Sequence, residues 1–297
     1  PIMIKNVLIT GANRGLGEAL VNELKDNKDL RIFATARGSS FIEISKKFKD
    51  YPNIHVRELD LLHPETFTPV IKEINKNFGG IDILINNAAM VYRSMVEHVS
   101  DDEEKRGFQV NYFAPRELIR RVLPLMKKKK YGKIINISSV GGMMAMPTMS
   151  SYSASKWSLE GMSEALWYEL KPFNIQVCIV QIGFVNSNSF QNVEIPKKAQ
   201  KDTNKIYQEY YSTMEKFISR CMNSTYFTPE KIAKRIHKKL IKKEHIFLRF
   251  PGTHDAIIFY WFRRFVPRKI YHWILYISLP NNLKRNIKNI INFYRNN

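Results

Sequence analysis

The stretch Asn6-Val7-Leu8-Ile9-Thr10-Gly11-Ala12-Asn13-Arg14-Gly15-Leu16-Gly17 decides the fold. Its first five residues form a nearly continuous apolar run, as expected of a strand buried on both faces. Glycines at 11, 15 and 17 then let the chain turn sharply, and residues 18–24 continue with helical spacing. A strand feeding a glycine loop and a helix start suits a dinucleotide, whose pyrophosphate rests on the positive end of the helix. Taken alone, the pattern also fits an ordinary glycine-rich turn.

Outward from this stretch, apolar runs at 30–36, 54–59, 81–85, 133–137 and 175–180 read as five further strands. Helical spacing separates them, most clearly at 67–77 and 159–170. Strands alternating with helices predict right-handed βαβ units and an α/β, doubly wound parallel sheet covered on both faces. No repeat or linker intervenes, so residues 1–250 read as one dinucleotide-binding and catalytic domain. Within it, 188–228 is polar and tyrosine-bearing and reads as a lid over the substrate. Thr228-Pro229-Glu230 then opens a helix, with proline in the first turn. Residues 251–297 form a basic, aromatic C-terminal extension in which Asp255 is the only acid.

The 297 residues are 44% hydrophobic and 25% charged, enough apolar matter for a sizeable core, which excludes a disordered or collagen-like chain. Two cysteines, Cys178 and Cys221, cannot build a disulfide framework and point to a reducing, cytoplasmic setting. Residues 1–10 lack a secretory layout, and no uncharged apolar run reaches the ~18 residues of a membrane span. The nearest, 256–279, is interrupted by Arg263, Arg264, Arg268 and Lys269. The formal charge of +20 has three readings: nucleic-acid phosphates, an anionic membrane surface, or the coding bias of an AT-rich genome. Charge alone does not decide among them. The seven histidines show no paired ligand spacing, so no metal site is expected.

Chemistry concentrates around Ser139 and Tyr152-Ser153-Ala154-Ser155-Lys156. Tyr152 and Lys156, four apart, share one helix face. An ammonium beside a phenol is expected to pull the tyrosine pKa below its usual value of about 10 and make it a general acid or base.

Together the Thr10–Gly17 pattern, Asn86-Asn87-Ala88-Ala89, Asn111, Ser139 and Tyr152 with Lys156 occur in order across residues 4–190. In this the sequence resembles the short-chain dehydrogenase/reductase family, in its single-domain branch. The resemblance implies a seven-stranded, Rossmann-type sheet and reversible hydride transfer between a nicotinamide cofactor and a carbonyl or alcohol. It makes Tyr152 the proton donor to the substrate oxygen and Ser139 the hydroxyl that bonds that oxygen. Lys156 would tune the tyrosine and bind the nicotinamide ribose, and Asn111 would hold a water in the proton path. An alternative for Asn111 is a helix-distorting side chain bonded to backbone. Gly11, Asn13, Arg14, Gly15, Leu16 and Gly17 would cradle the phosphates. Asp60 with Leu61 would meet the adenine, and Asn87-Ala88 would pass its ribose, with Ala89 where the family has glycine. Gly183, Val185 and Ser187 would orient the nicotinamide, although Ile182 and Ser187 replace the family's proline and threonine.

Strand two ends in Thr35-Ala36-Arg37 without the acid that bonds a ribose 2′-hydroxyl. Arg14 and Arg37 could instead clamp a 2′-phosphate, which favours NADP(H) over NAD; the alternative is two solvated arginines. Met90, Met144 and Met146, with Tyr207 of the lid, would form an adaptable apolar wall and favour a lipophilic ketone or aldehyde. The extension resembles that of retinol- and hydroxysteroid-type members. Its aromatic and basic mixture suits peripheral contact with a membrane, or equally a cover over the pocket or a partner subunit. The family implies a homodimer or homotetramer. A competing function is a non-catalytic nucleotide sensor or RNA-binding protein on the same fold. The intact Asn111, Ser139, Tyr152 and Lys156 set argues for the enzyme and against nucleic acid.

Overall fold

The computed structural model describes residues 4–187 and 193–279. Residues 188–192 of the expected lid and 280–297 of the extension lie outside the described residues, as do residues 1–3. Seven strands form one sheet: β1 (Lys5–Ile9), β2 (Leu30–Ala36), β3 (Ile54–Glu58), β4 (Ile83–Asn86), β5 (Gly132–Ser139), β6 (Ile175–Ile182) and β7 (Arg249–Pro251). Their order is β3-β2-β1-β4-β5-β6-β7, with every neighbouring pair parallel. The chain winds outward from β1 to β3 and then crosses back to β4. Strand order therefore reverses between β1 and β4, and a crevice opens beyond their C-terminal ends.

Side-chain alternation along each strand splits the core into two layers. Val7, Ile9, Ile32, Ile83 and Ile85 face one way, against α1 (Gly15–Leu24), α2 (Gly38–Lys47) and α9 (Pro229–Ile236), which contribute Leu20, Ile44 and Ile236. Leu8, Phe33, Leu84 and Ile134 face the other way, against Phe67, Ile71 and Ile74 of α3 (Phe67–Phe78) and Leu118 and Val122 of α5 (Ala114–Lys129). Between α3 and α5 lies α4 (Asp101–Phe108), opened by a capping box in which Ser100 and Glu103 satisfy each other's backbone N–H. The long α6 (Ser150–Leu170) is tied to the sheet by a buried relay in which Asn86 donates to Asn136 and Asn136 to Ser163, both at 2.8 Å.

Two elements have weak sequence signals. Strand β7 has three residues and ends in Pro251; proline is tolerated there because β7 is an edge strand, paired with β6 alone. The polar stretch expected to form a helical lid contains α7 (Lys197–Lys201) and the 20-residue α8 (Lys205–Ser224). Only Met214 and Ile218 of α8 are buried, so its apolar stripe is too thin to announce a helix. Thr228 caps α9 through a bond from Lys231 N–H, with Pro229 next to it, as the sequence indicates. The extension forms α10 (His254–Phe265) and α11 (Arg268–Ser278), separated at Pro267. Since β7 straddles residue 250, the extension is continuous with the sheet.

Candidate active site

At the head of the crevice, Thr10 Oγ1 accepts bonds from the backbone N–H of Asn87 (3.0 Å) and Ala88 (3.1 Å), locking the end of β1 to the segment after β4. Asn87 Nδ2 donates back to Thr10 O at 2.9 Å and Gly11 O at 3.2 Å. Gly11 and Gly15 adopt φ of +66° and +56°, conformations that favour glycine. A Cβ on Gly17 would stand 2.1 Å from Gly11 O, so the third glycine is demanded by packing between loop and helix. Arg14, the N-cap of α1, makes no side-chain cap bond, leaving the first-turn N–H groups to the crevice. This is a cradle of backbone donors that fits a pyrophosphate.

Asn13 Nδ2 donates to Ser40 Oγ at 3.2 Å, which brings the glycine loop beside the N-terminus of α2. That end has no acid in its first turn and no side-chain cap, and Arg37 is its N-cap. Arg37 is more than half exposed and contacts Asp60 at 3.4 Å, while Glu58 accepts from Gly38 N–H at 3.0 Å. Asp60 also accepts from Leu62 N–H. Leu61 is buried in the core, its carbonyl held by Gln109. Ala89, which stands in place of the family glycine, is exposed.

The catalytic candidates converge at the C-terminal end of β5. Ser139 is the last residue of that strand, and its Oγ accepts from Gly141 N–H at 3.1 Å. Tyr152 lies in the first turn of α6 against Gly141, where an added Cβ would sit 3.1 Å from its ring. Lys156, one turn on, is 2% exposed and donates to Ile137 O at 2.9 Å; its ammonium lies 5.9 Å from the Tyr152 ring centroid.

Asn111 lies in a π-turn at 109–113, and its side chain both accepts from Met90 N–H (2.9 Å) and donates to Met90 O (2.8 Å). It also donates to Ser155 Oγ at 3.0 Å. A small cavity beside it is lined by Met90, Tyr92, Asn111, Tyr152 and Ser155.

One electrostatic expectation is corrected. The Tyr152 phenol is pushed above its ordinary pKa by burial, with the Ser139 hydrogen bond acting in the opposite direction. Burial also drives Lys156 down to about 8, partly countered by Glu160. Burial thus sets the direction for both groups, and the ammonium that their spacing suggested is not among the influences on the phenol.

The expected substrate residues separate. Met90 and Met144 are buried, whereas Met146 and Tyr207 are partly exposed. Tyr207 stacks edge-on to His98 at 5.3 Å, and its neighbour Tyr211 accepts from Met95 N–H and bonds His98 Nδ1 at 2.7 Å. These tyrosines clasp α8 to the loop after β4. Beyond β6, Gly183 N–H donates to Thr253 Oγ1 (2.9 Å) and Phe184 N–H to Asp255 (2.7 Å), while Val185 packs on the core and Ser187 is partly buried. The first turn of α10 therefore pins the segment expected to face the nicotinamide. Its Ala256 also packs on Val140 and Met143 next to Ser139. Sequence reasoning passed over Thr253 and Asp255, which have no motif spacing to reveal them. It also passed over Glu160, whose placement four residues after Lys156 was a legible signal.

A Rossmann-type sheet, a glycine-lined phosphate cradle and a serine–tyrosine–lysine group at one crevice define a nicotinamide-dependent oxidoreductase. The sequence profile described as short chain dehydrogenase matches residues 5–198, and the chain belongs to that family. It is 34% identical over 189 residues to 3-ketodihydrosphingosine reductase from Bacteroides thetaiotaomicron, covering 64% of this chain and 67% of that protein. It is 27% identical over 276 residues to the uncharacterized oxidoreductase YusZ of Bacillus subtilis, covering 91% and 97%. A short-chain dehydrogenase structure from Streptomyces avermitilis superposes with a TM-score of 0.74 at 28% identity, over 86% of this chain and 90% of that one. Among the described residues, no helix is long and apolar enough to cross a membrane, and no group of three or more His, Cys, Asp or Glu gathers as metal ligands.

Proposed function

We propose that the protein uses NADPH to reduce a lipophilic ketone or aldehyde, with Asn111, Ser139, Tyr152 and Lys156 as its proton-handling group. The observation that carries this reading is the meeting of Ser139 and Tyr152 at the mouth of β5, with Lys156 buried behind them. Bound nicotinamide supplies the hydride; the protein supplies orientation and protons. The raised Tyr152 pKa keeps the phenol protonated at neutral pH, the state required to donate to an oxyanion as it forms. Ser139 donates a second hydrogen bond to that oxygen. Lys156, anchored on Ile137 O, holds the phenol's surroundings positive. The Asn111–Ser155 contact leads from this group toward the cavity beside Met90.

The 2′-phosphate preference rests on exposed Arg37 and Arg14 beside the N-terminus of α2, whose first turn carries no acid of its own while Glu58 of β3 accepts from Gly38 N–H. Buried Met90 and Met144 favour an apolar substrate, and the Bacteroides relative carries the name 3-ketodihydrosphingosine reductase. Titrating NADPH and NADH into the wild type and Arg37→Ala, then running a carbonyl panel, tests the reading. Arg37→Ala is expected to weaken NADPH about 10-fold, the scale of one charge-assisted pair, and leave NADH nearly unchanged. Equal losses for both cofactors, or turnover confined to small polar carbonyls, would reject it.

The extension also supports contact with an anionic membrane. Ile258, Trp261 and Phe265 share one face of α10, and Ile270, Trp273 and Tyr276 one arc of α11; each is about half exposed or more. Arg264, Arg268 and Lys269 are exposed around them, while the only acid, Asp255, is turned inward onto Phe184 N–H. Aromatic rings ringed by cations suit the headgroup region. The full chain is expected to sediment with vesicles containing phosphatidylglycerol and not with pure phosphatidylcholine. The Trp261→Ser/Trp273→Ser variant should stay in solution. Binding that ignores lipid charge, or variants that lose a dimer instead, would rule this out.

A further inference from the structure

We infer that Glu160 is a positioning residue for the proton-handling group, the buried counter-charge that keeps Lys156 an ammonium. The inference rests on the assignment of Lys156 above. Glu160 stands one helical turn beyond Lys156 on α6 and is 7% exposed. Its carboxylate is held from two strands: Ser138 Oγ donates to it at 2.7 Å from β5, and Gln181 Nε2 at 2.9 Å from β6. Burial pushes the Glu160 carboxyl above its ordinary pKa, while the two donated hydrogen bonds, Arg249 and Lys156 all pull it back toward the ionised form. The fit leaves no slack, because a Cβ on Gly142 would come within 2.4 Å of Glu160 Oε1. The carboxylate is thus fixed at the end of β5, beside Ser138 and one residue from Ser139.

The rest of the surroundings make this charge matter. Beyond the pair itself, the charged group acting on Glu160 is Arg249 from β7, which is itself paired with Glu164 of α6 at 2.6 Å, and the Tyr152 ring lies 5.9 Å from the Lys156 ammonium. The packed faces of β5, β6 and the π-turn offer Ser138, Ser139, Gln181 and Asn111, none of which titrates near neutrality. Lys156 is nearly inaccessible to water and has been driven down to about 8, with Glu160 as the attraction opposing that fall. Carbonyl reduction should therefore lose activity as pH rises past about 8, where Lys156 gives up its proton, well before Tyr152 ionises. Without the Glu160 charge that alkaline limb moves to lower pH.

Glu160→Gln removes the charge and can keep the packing. The Gln181 carbonyl oxygen is buried without a partner, so a flip of its amide would accept from the new side chain. The expected result is an alkaline midpoint of kcat/KM lowered by about one pH unit, with the melting temperature at acidic pH little changed. The ratio of turnover at about pH 8.5 to that at about pH 6.5 should fall about six-fold below the wild-type ratio. Glu160→Asp retains the charge, and its midpoint should stay at the wild-type value even if turnover drops. A Glu160→Gln profile superimposable on wild type, or a Glu160→Asp midpoint shifted as far as that of Glu160→Gln, would overturn the inference. Lys156→Ala separates the two levels. Full activity in that variant would remove the assignment of Lys156 itself, whereas an inactive Lys156→Ala beside an unshifted Glu160→Gln would remove only the role of Glu160.

Discussion

Tyr152→Phe is expected to lower turnover about 10²–10⁴-fold, the range of a lost general acid, while changing NADPH affinity by less than about three-fold. The ring stays: it packs on Gly141, and phenylalanine fills the same space. What disappears is one hydroxyl, the group that Ser139 faces and that burial keeps protonated. The phosphate cradle is built from Gly11, Gly17, Thr10 and Asn87, none of which touches this hydroxyl, so cofactor binding has no reason to change. Fluorescence titration with NADPH and steady-state reduction of a carbonyl on the same preparation separate the two effects. Turnover within ten-fold of wild type would show that another group delivers the proton. Turnover and affinity lost in parallel would show that the hydroxyl holds the crevice together instead.

What the sequence revealed and what it hid follow physical lines. Six strands were legible: five are runs of side chains mostly buried on both faces, and β3 is an edge strand showing the alternation of buried Ile54 and partly buried Val56. The glycine loop was legible because its backbone needs are local. Strand β7 was hidden by its brevity and its terminal Pro251, and α8 by a surface so polar that only two of its residues meet the core. Tyr152 and Lys156 could be placed on one helix face from their spacing. Desolvation depends on everything packed around a side chain, so the direction of the tyrosine's pKa was not available from that spacing. The same reason hid Thr253 and Asp255: residues 70 and 71 positions from the backbone they hold become visible only when β7 brings α10 to the end of β6. Glu160 is different, since its spacing from Lys156 was readable and only the Ser138 and Gln181 partners required the fold.

Gly17→Ala is expected to destabilise the fold by about 3 kcal/mol, at the upper end of ordinary overpacking, and to weaken NADPH binding about 100-fold or more. The added Cβ would stand 2.1 Å from Gly11 O, 2.8 Å from Gly11 C and 2.6 Å from Asn87 Nδ2. None of these can yield easily. Gly11 is fixed at φ +66° with Ala88 behind it, where even a Cβ of its own would approach Ala88 Cβ to 2.8 Å. Moving Gly11 O also breaks the bond it accepts from Asn87 Nδ2, which anchors the loop to the segment after β4. The strain is relieved only if α1 slides away from the loop, and that motion withdraws the N–H groups that would meet the pyrophosphate. At roughly 2–4 °C per kcal/mol, the melting temperature should drop about 6–12 °C.

Gly15→Ala is the control. Its Cβ would meet nothing within 4 Å, so only the positive φ resists it, at a cost of about 1–2 kcal/mol. Melting curves and NADPH titrations of the two variants should rank Gly17→Ala well below Gly15→Ala in both. If they ranked equally, backbone conformation alone would govern the loop, and the close packing of α1 on the end of β1 would have no part in forming the cradle.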